Sequence, residues 1–160
     1  MSVIITKTMG LMTSYRKPRV FVDADALFAG VASPSENGAS LVTLRLAEIT
    51  LIDALTSQQV IVEAERNLTE KLPHKLPEFR LIVSRCLQVV PNPQPDELIP
   101  YKGAADTKDL PILIAAVREH CPYLITFNIK HFQPGHETVK VLRPGDFVLA
   151  IRDKLSHLML

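Results

Sequence analysis

The chain has 160 residues, 47% hydrophobic and 22% charged, which fits one soluble globular domain with a real core and excludes a disordered chain. No apolar run approaches the ~20 residues of a membrane helix, and Met1–Lys17 lacks a secretory signal, so a cytoplasmic protein with no membrane association is expected. Net charge is +1 but uneven: residues 1–20 hold Lys7, Arg16, Lys17 and Arg19 and no acid, leaving 14 basic against 17 acidic residues, a net of −3, in the remainder.

Residues 1–17 read as a flexible basic tail, suited to a polyanion, and residues 18–160 as a single domain. Val20–Val22 is a short, wholly apolar strand of the kind buried in a parallel sheet. A helix is expected from Asp25 to about Val31, a turn over Ser33-Pro34-Ser35-Glu36-Asn37-Gly38, and a helix from about Ala39 to Glu48. Ile49–Ile52 reads as a brief strand or the fraying end of that helix. Thr56 or Ser57 caps a helix to about Leu72, with Val60, Ile61, Ala64, Leu68 and Leu72 on its inner side. Glu63 and Asn67 border one edge of that stripe, and Glu65 the other.

A helix over Pro77–Cys86 leads into a strand at Leu87–Val90, and the segment Pro91–Lys102, with four prolines, reads as a long loop. A helix starts between Asp106 and Asp109 and runs through His120, with Pro111 in its first turn. Tyr123–Thr126 and Val139–Leu142 read as strands, and Pro144 opens a last helix to about Lys154. Strands separated by helices predict a three-layer α/β/α domain around a mostly parallel, twisted sheet of about four to five short strands. Cys86 and Cys121 are too few for a disulfide framework and lack metal-site spacing.

Asp23 and Asp25 at the end of the first apolar strand carry the most chemical information. An acid inside an apolar run must be paired, protonated or bound to a cation, because burying an isolated carboxylate is costly. Sites in open α/β sheets form outside the carboxyl ends of the strands. Asp23 and Asn128 lie at such ends, and Asp106 and Asp109 stand at a helix start that faces the same edge. Carboxylates gathered there would repel unless protonated or joined by a divalent cation. Mg²⁺ and Mn²⁺ suit carboxylate oxygens, no Cys/His set here suits zinc, and such a cation fits phosphodiester hydrolysis. Each acid also has a plainer reading: Asp25 and Asp109 as helix caps, Glu63 and Glu65 as solvated helix charges. His74, His120, His136 and His157 read as surface residues. His131, which follows the strand bearing Asn128, stands apart, and no two histidines have the i, i+4 spacing of a helical zinc site.

Four segments together resemble the PIN domain family, the metal-dependent nuclease fold of many VapC-type toxins. They are Val20-Phe21-Val22-Asp23-Ala24-Asp25-Ala26-Leu27, Ser57 to Leu68 with Glu63, Asp106-Thr107-Lys108-Asp109-Leu110-Pro111-Ile112-Leu113, and Tyr123 to Phe132 with Asn128. Arg143-Pro144-Gly145-Asp146-Phe147 is similar to the family's ending. The resemblance spans about residues 18 to 152. It implies RNA cleavage with Mg²⁺ or Mn²⁺ held by Asp23, Glu63 and Asp109. Asn128 would assist, with Asp25, Asp106 and Thr126 as accessories and Lys108 or Lys130 on the RNA backbone. It also implies a homodimer and an antitoxin protein as partner.

The chain departs from the family at Asn128, where many members have Asp. A catalytically weak or inactive PIN-like module that only binds RNA is therefore the alternative. Asp23-Ala24-Asp25 is also similar to the paired acids of haloacid dehalogenase-type phosphatases, although Ala26-Leu27 departs from what usually follows them.

Overall fold

A computed structural model describes residues 15–33, 35 and 38–158. Most of the expected basic tail, and parts of the expected turn after Ser33, lie outside those residues. Five strands, β1 (Arg19–Val22), β2 (Asp53–Ser57), β3 (Leu87–Val90), β4 (Tyr123–Ile125) and β5 (Lys140–Leu142), form one sheet in the order β3-β2-β1-β4-β5. Every pairing is parallel, with Phe21 opposite both Leu55 and Leu124. Val20, Phe21, Leu55 and Leu124 are fully buried, as a parallel sheet covered on both faces requires.

The connecting helices are α1 (Ala24–Ala32), α2 (Ala39–Glu48), α3 (Gln58–Lys71), α4 (Leu76–Cys86), the single-turn α5 (Pro95–Leu98), α6 (Leu110–Arg118) and α7 (Pro144–Leu158). α1 packs on α2 and α3, and α2 also touches α4 and α7, whereas α6 packs on β4 and α5. Gly30 permits the α1–α2 approach: a Cβ there would stand 2.6 Å from Leu44 Cδ1. α6 buries Leu110, Ile112, Leu113, Ile114, Ala115 and Ala116, nearly its whole circumference, and so forms the apolar layer under the sheet's β4 side.

Three elements differ from expectation. Ile49–Ile52, read as a brief strand or the fraying end of the helix, is no strand, and a strand that was not expected lies after it at Asp53–Ser57. Thr50 takes the left-handed conformation (φ 66°) that ends α2, and β2 is held by parallel pairing on both sides. The Pro91–Lys102 segment contains α5, which starts at Pro95 and is closed by a capping box between Gln94 and Glu97. The first helix starts at Ala24, so its N-cap is Asp23 rather than Asp25. Both cysteines are free, and burial pushes the Cys121 thiol up to about 12, which leaves it inert.

Candidate functional site

In this strand order the chain runs from β1 outward to β3 and then returns to β4 on the other side of β1. The crevice outside the carboxyl ends of β1 and β4 is thus the topological switch point, where open α/β sheets build their sites. Asp23 leaves β1 there. Its backbone N–H donates to the Ile125 carbonyl at 2.9 Å, which locks it to β4. Its Oδ1 accepts from the Ala24 N–H at 2.8 Å, capping α1, and its Oδ2 accepts from the Thr126 hydroxyl at 2.9 Å.

Thr126 is fully buried and organises this flank. Its hydroxyl also stands 3.3 Å from both oxygens of Asp25 and accepts from the Asn128 N–H at 3.1 Å. Asp25 Oδ2 in turn accepts from the Phe127 N–H at 3.0 Å. Burial, and then the neighbouring charge of Asp25, raise the Asp23 carboxyl to about 7. Burial raises Asp25 as well, and Glu63 adds to the rise of both.

The second flank comes from the start of α6 and the single-turn helix Ile129–Phe132 after β4. Asp109 occupies the N-cap position of α6 yet makes no side-chain capping bond, so its carboxylate is free for another role. It is buried, and burial raises its pKa against the lowering effects of His131 and Lys108. His131 Nδ1 lies 3.4 Å from Asp109 Oδ2. The Asp106 N–H donates to the His131 carbonyl at 2.8 Å, which ties the two loops together. Asp106, Asp109 and His131 each present a ligand atom within 4.8 Å of the others. That donor set, two carboxylates and an imidazole beside further acids, fits a divalent cation.

Glu63, on α3, faces both flanks: its charge raises Asp23, Asp25 and Asp109 alike. Its carboxylate also meets Lys108 Nζ at 3.5 Å. Of the residues picked from sequence, Asp23, Asp25 and Thr126 meet by hydrogen bonds, Asp106 and Asp109 lie together, and Glu63 and Lys108 pair beside them. Asn128 is exposed and tied in through its backbone, since its carbonyl accepts from the His131 N–H at 3.0 Å. Lys130 is exposed and has no side-chain partner among the described residues. No role for His131, which lies 22 positions from Asp109, is legible in the sequence. Its one signal is its place just after Asn128, in the segment that follows β4.

A family model described as PIN domain matches residues 19–130 of the chain. Similar solved structures include the Rickettsia felis VapBC2 complex bound to a DNA fragment from their promoter, with a TM-score of 0.58 and 16% identity over 78% of this chain and 98% of that one. Another is Mycobacterium tuberculosis VapC20, a sarcin-ricin loop cleaving toxin, with a TM-score of 0.48 and 16% identity over 66% of this chain and 86% of that one. At this identity the first likeness shows a shared fold. No curated protein matches the chain.

Proposed function

The chain belongs to the PIN domain family, and from that premise we propose that it is a metal-dependent endoribonuclease, the toxin of a toxin–antitoxin pair. In this reading residues 18–160 are one PIN-like domain and act in the cytoplasm. Among the described residues no helix is long and apolar enough to cross a membrane. Family membership sets aside the phosphatase resemblance.

The observation that carries the reading is the gathering of acids. Asp23 and Asp25 meet at the Thr126 hydroxyl, Asp106 and Asp109 present oxygens within 4.8 Å of each other and of His131, and Glu63, paired with Lys108, lies near enough to both groups for its charge to raise them. Such a gathering is costly unless a cation offsets it. In this proposal Asp23, Glu63 and Asp109 hold the metal, Asn128 assists, and Asp25, Asp106 and Thr126 support them. Bound Mg²⁺ or Mn²⁺ would lower the pKa of a water and offset charge on the phosphoryl group. Thr126 holds the Asp23 carboxylate in place, and the Phe127 N–H does the same for Asp25. Lys108, whose Nζ lies 3.5 Å from the Glu63 carboxylate, stands at the edge of the acids where it can meet an RNA phosphate. Lys130 supplies a second such contact.

His131 belongs to the proposed shell. An imidazole nitrogen among carboxylates favours Mn²⁺ over Mg²⁺, which strongly prefers oxygen. The fold shared with the VapBC2 complex supports an antitoxin partner, and the family resemblance supports a homodimer. The test is cleavage of a mixed RNA pool in Mg²⁺, Mn²⁺ or chelator, with Asp23→Asn alongside. Metal-dependent cuts that vanish in the variant are expected; cuts that persist in it would remove Asp23 from the site. Asn128 favours one other reading, an RNA-binding module without turnover. Folded protein that binds RNA and cuts it in neither metal would select that reading.

A further inference from the structure

A cleft of about 380 Å³ adjoins the acidic space on its β3 side, lined by Gln58, Gln59, Val62, Arg66 and Asn92 together with Glu63 and Lys108. Its volume falls in the range of small-molecule sites. Gln58, Val62 and Arg66 recur every four residues on α3 and so form one stripe along the helix. Gln59 and Glu63 form the adjacent stripe, turned toward the acids. Asn92 lies just past the carboxyl end of β3, as Gln58 does past β2 and Asp23 past β1. The cleft and the acids are therefore neighbours along one sheet edge, with Glu63 and Lys108 shared between them.

The polar groups of this cleft are held yet unspent. The Gln59 N–H donates to Asn92 Oδ1 at 2.8 Å, which fixes the asparagine and leaves its amide N–H₂ without a partner among the described residues. Gln59 Nε2 donates to the Lys108 carbonyl at 3.1 Å and so joins α3 to the loop before α6. Nearby Glu65 pairs with Arg80, whereas the Arg66 guanidinium has no ion pair or hydrogen bond among the described residues. An unpaired guanidinium, free amide groups and the half-exposed Val62 side chain together suit a phosphate, a base edge and a base face.

We propose that this cleft holds the nucleotide of a single-stranded RNA that flanks the bond to be cut, with Arg66 on its phosphate and Gln58 and Asn92 reading its base. The proposal rests on the endoribonuclease reading for its position beside the scissile bond. A single strand is favoured over a duplex because the readable groups lie in a recess, where an unstacked base can enter and a paired one cannot. Arg66 supplies affinity and register, and the amides supply preference for one base over another.

The test is binding of a single-stranded RNA oligonucleotide pool to the full chain in chelator, where no turnover complicates the reading. Arg66→Gln is expected to weaken binding about tenfold and to flatten the dependence of log affinity on log salt by about 0.7. Asn92→Asp keeps the acceptor that the Gln59 N–H uses and should change which base is enriched at one position of the pool. Lys140→Gln, at the start of β5 and the opposite sheet edge, controls for loss of a charge and should bind as the parent does. Parent-like binding, salt slope and base enrichment in both Arg66→Gln and Asn92→Asp would overturn the proposal, as would no RNA binding by the parent chain. If the parent binds but cuts in no metal while Arg66→Gln still binds weakly, the cleft stands as an RNA site and the nuclease reading falls.

Discussion

On the β1–β4 flank of the acidic space both oxygens of Asp23 are already hydrogen-bonded, and Asp25 is held by Thr126 and the Phe127 N–H. On the α6 flank Asp106 is exposed, and the Asp109 carboxylate meets only the His131 ring among the described residues, at 3.4 Å. One side is anchored at the ends of two adjacent paired strands, through the Asp23 N–H on the Ile125 carbonyl and the Thr126 hydroxyl on Asp23. The other is assembled from two loops, joined by bonds from the Asp106 N–H to the His131 carbonyl and from the Gly135 N–H to the Ala104 carbonyl. A site with one rigid and one adjustable wall places a cation against the rigid wall and lets the second wall close on it.

The sharpest way to break that contrast is to disable each wall in turn. Asp23→Asn should lower RNA cleavage by roughly 10³ or more, equivalent to about 4 kcal/mol of lost transition-state stabilisation. His131→Ala should cost only about tenfold, the usual scale for a supporting group at a metal. Initial rates on one RNA in Mn²⁺ read both. A larger loss from His131→Ala than from Asp23→Asn would reverse the roles of the two flanks.

The rigid wall should also show in the pH dependence of stability. The Asp23 carboxyl titrates at about 7 in the folded protein and near 4 when unfolded, so the folded state carries the extra proton between those values. Asp25 and Asp109 are shifted in the same direction. Stability in chelator is therefore highest below pH 4 as far as these groups are concerned and declines as pH rises to about 7. The expected fall in urea-unfolding free energy between pH 5 and pH 8 is on the order of 2–3 kcal/mol. Mn²⁺ should restore most of it at pH 8, where the ligands are deprotonated. A stability that stays flat across this range would mean that the Asp23 carboxyl is not raised by its burial and by Asp25 beside it. Thr126→Val probes the same wall by a different route. It removes the donor to Asp23 and the acceptor for the Asn128 N–H, and should cost about 1–3 kcal/mol in metal-free protein.

The contrast between the walls also separates what the sequence reveals from what it conceals. β1, the Ala39–Glu48 helix and the Leu87–Val90 strand carry their own periodicity or apolar runs, and they stand where they were expected. β2 does not: Asp53-Ala54-Leu55-Thr56-Ser57 has no β-branched run and opens on an acid. It becomes a strand because β1 and β3 pair with both of its edges and the Thr126-like hydroxyl of Thr56 reaches the Val22 carbonyl at 2.8 Å. In the same way Asp23 is legible, since an acid closing an apolar strand is conspicuous on its own. The company of Asp106, Asp109 and His131 is not, because it depends on a loop-to-loop bond that no local pattern encodes.

The smallest expected effect lies at Asn128, and it sharpens the contrast most. Its backbone links the two walls: the N–H donates to Thr126 Oγ1, and the carbonyl accepts from the His131 N–H. Its exposed side chain makes no hydrogen bond among the described residues, so replacing it disturbs neither wall. In the proposed shell, Asn128→Asp would put a negative ligand where an uncharged one stands, and cation affinity rises with the number of charged ligands. Calorimetric titration should show Mg²⁺ binding tightened by about three- to tenfold. Mn²⁺ should gain less, because the His131 nitrogen already favours it. His131→Ala should do the reverse, costing Mn²⁺ more than Mg²⁺. If Asn128→Asp leaves both affinities unchanged, its side chain lies outside the metal shell, and the adjustable wall ends at Asp106, Asp109 and His131.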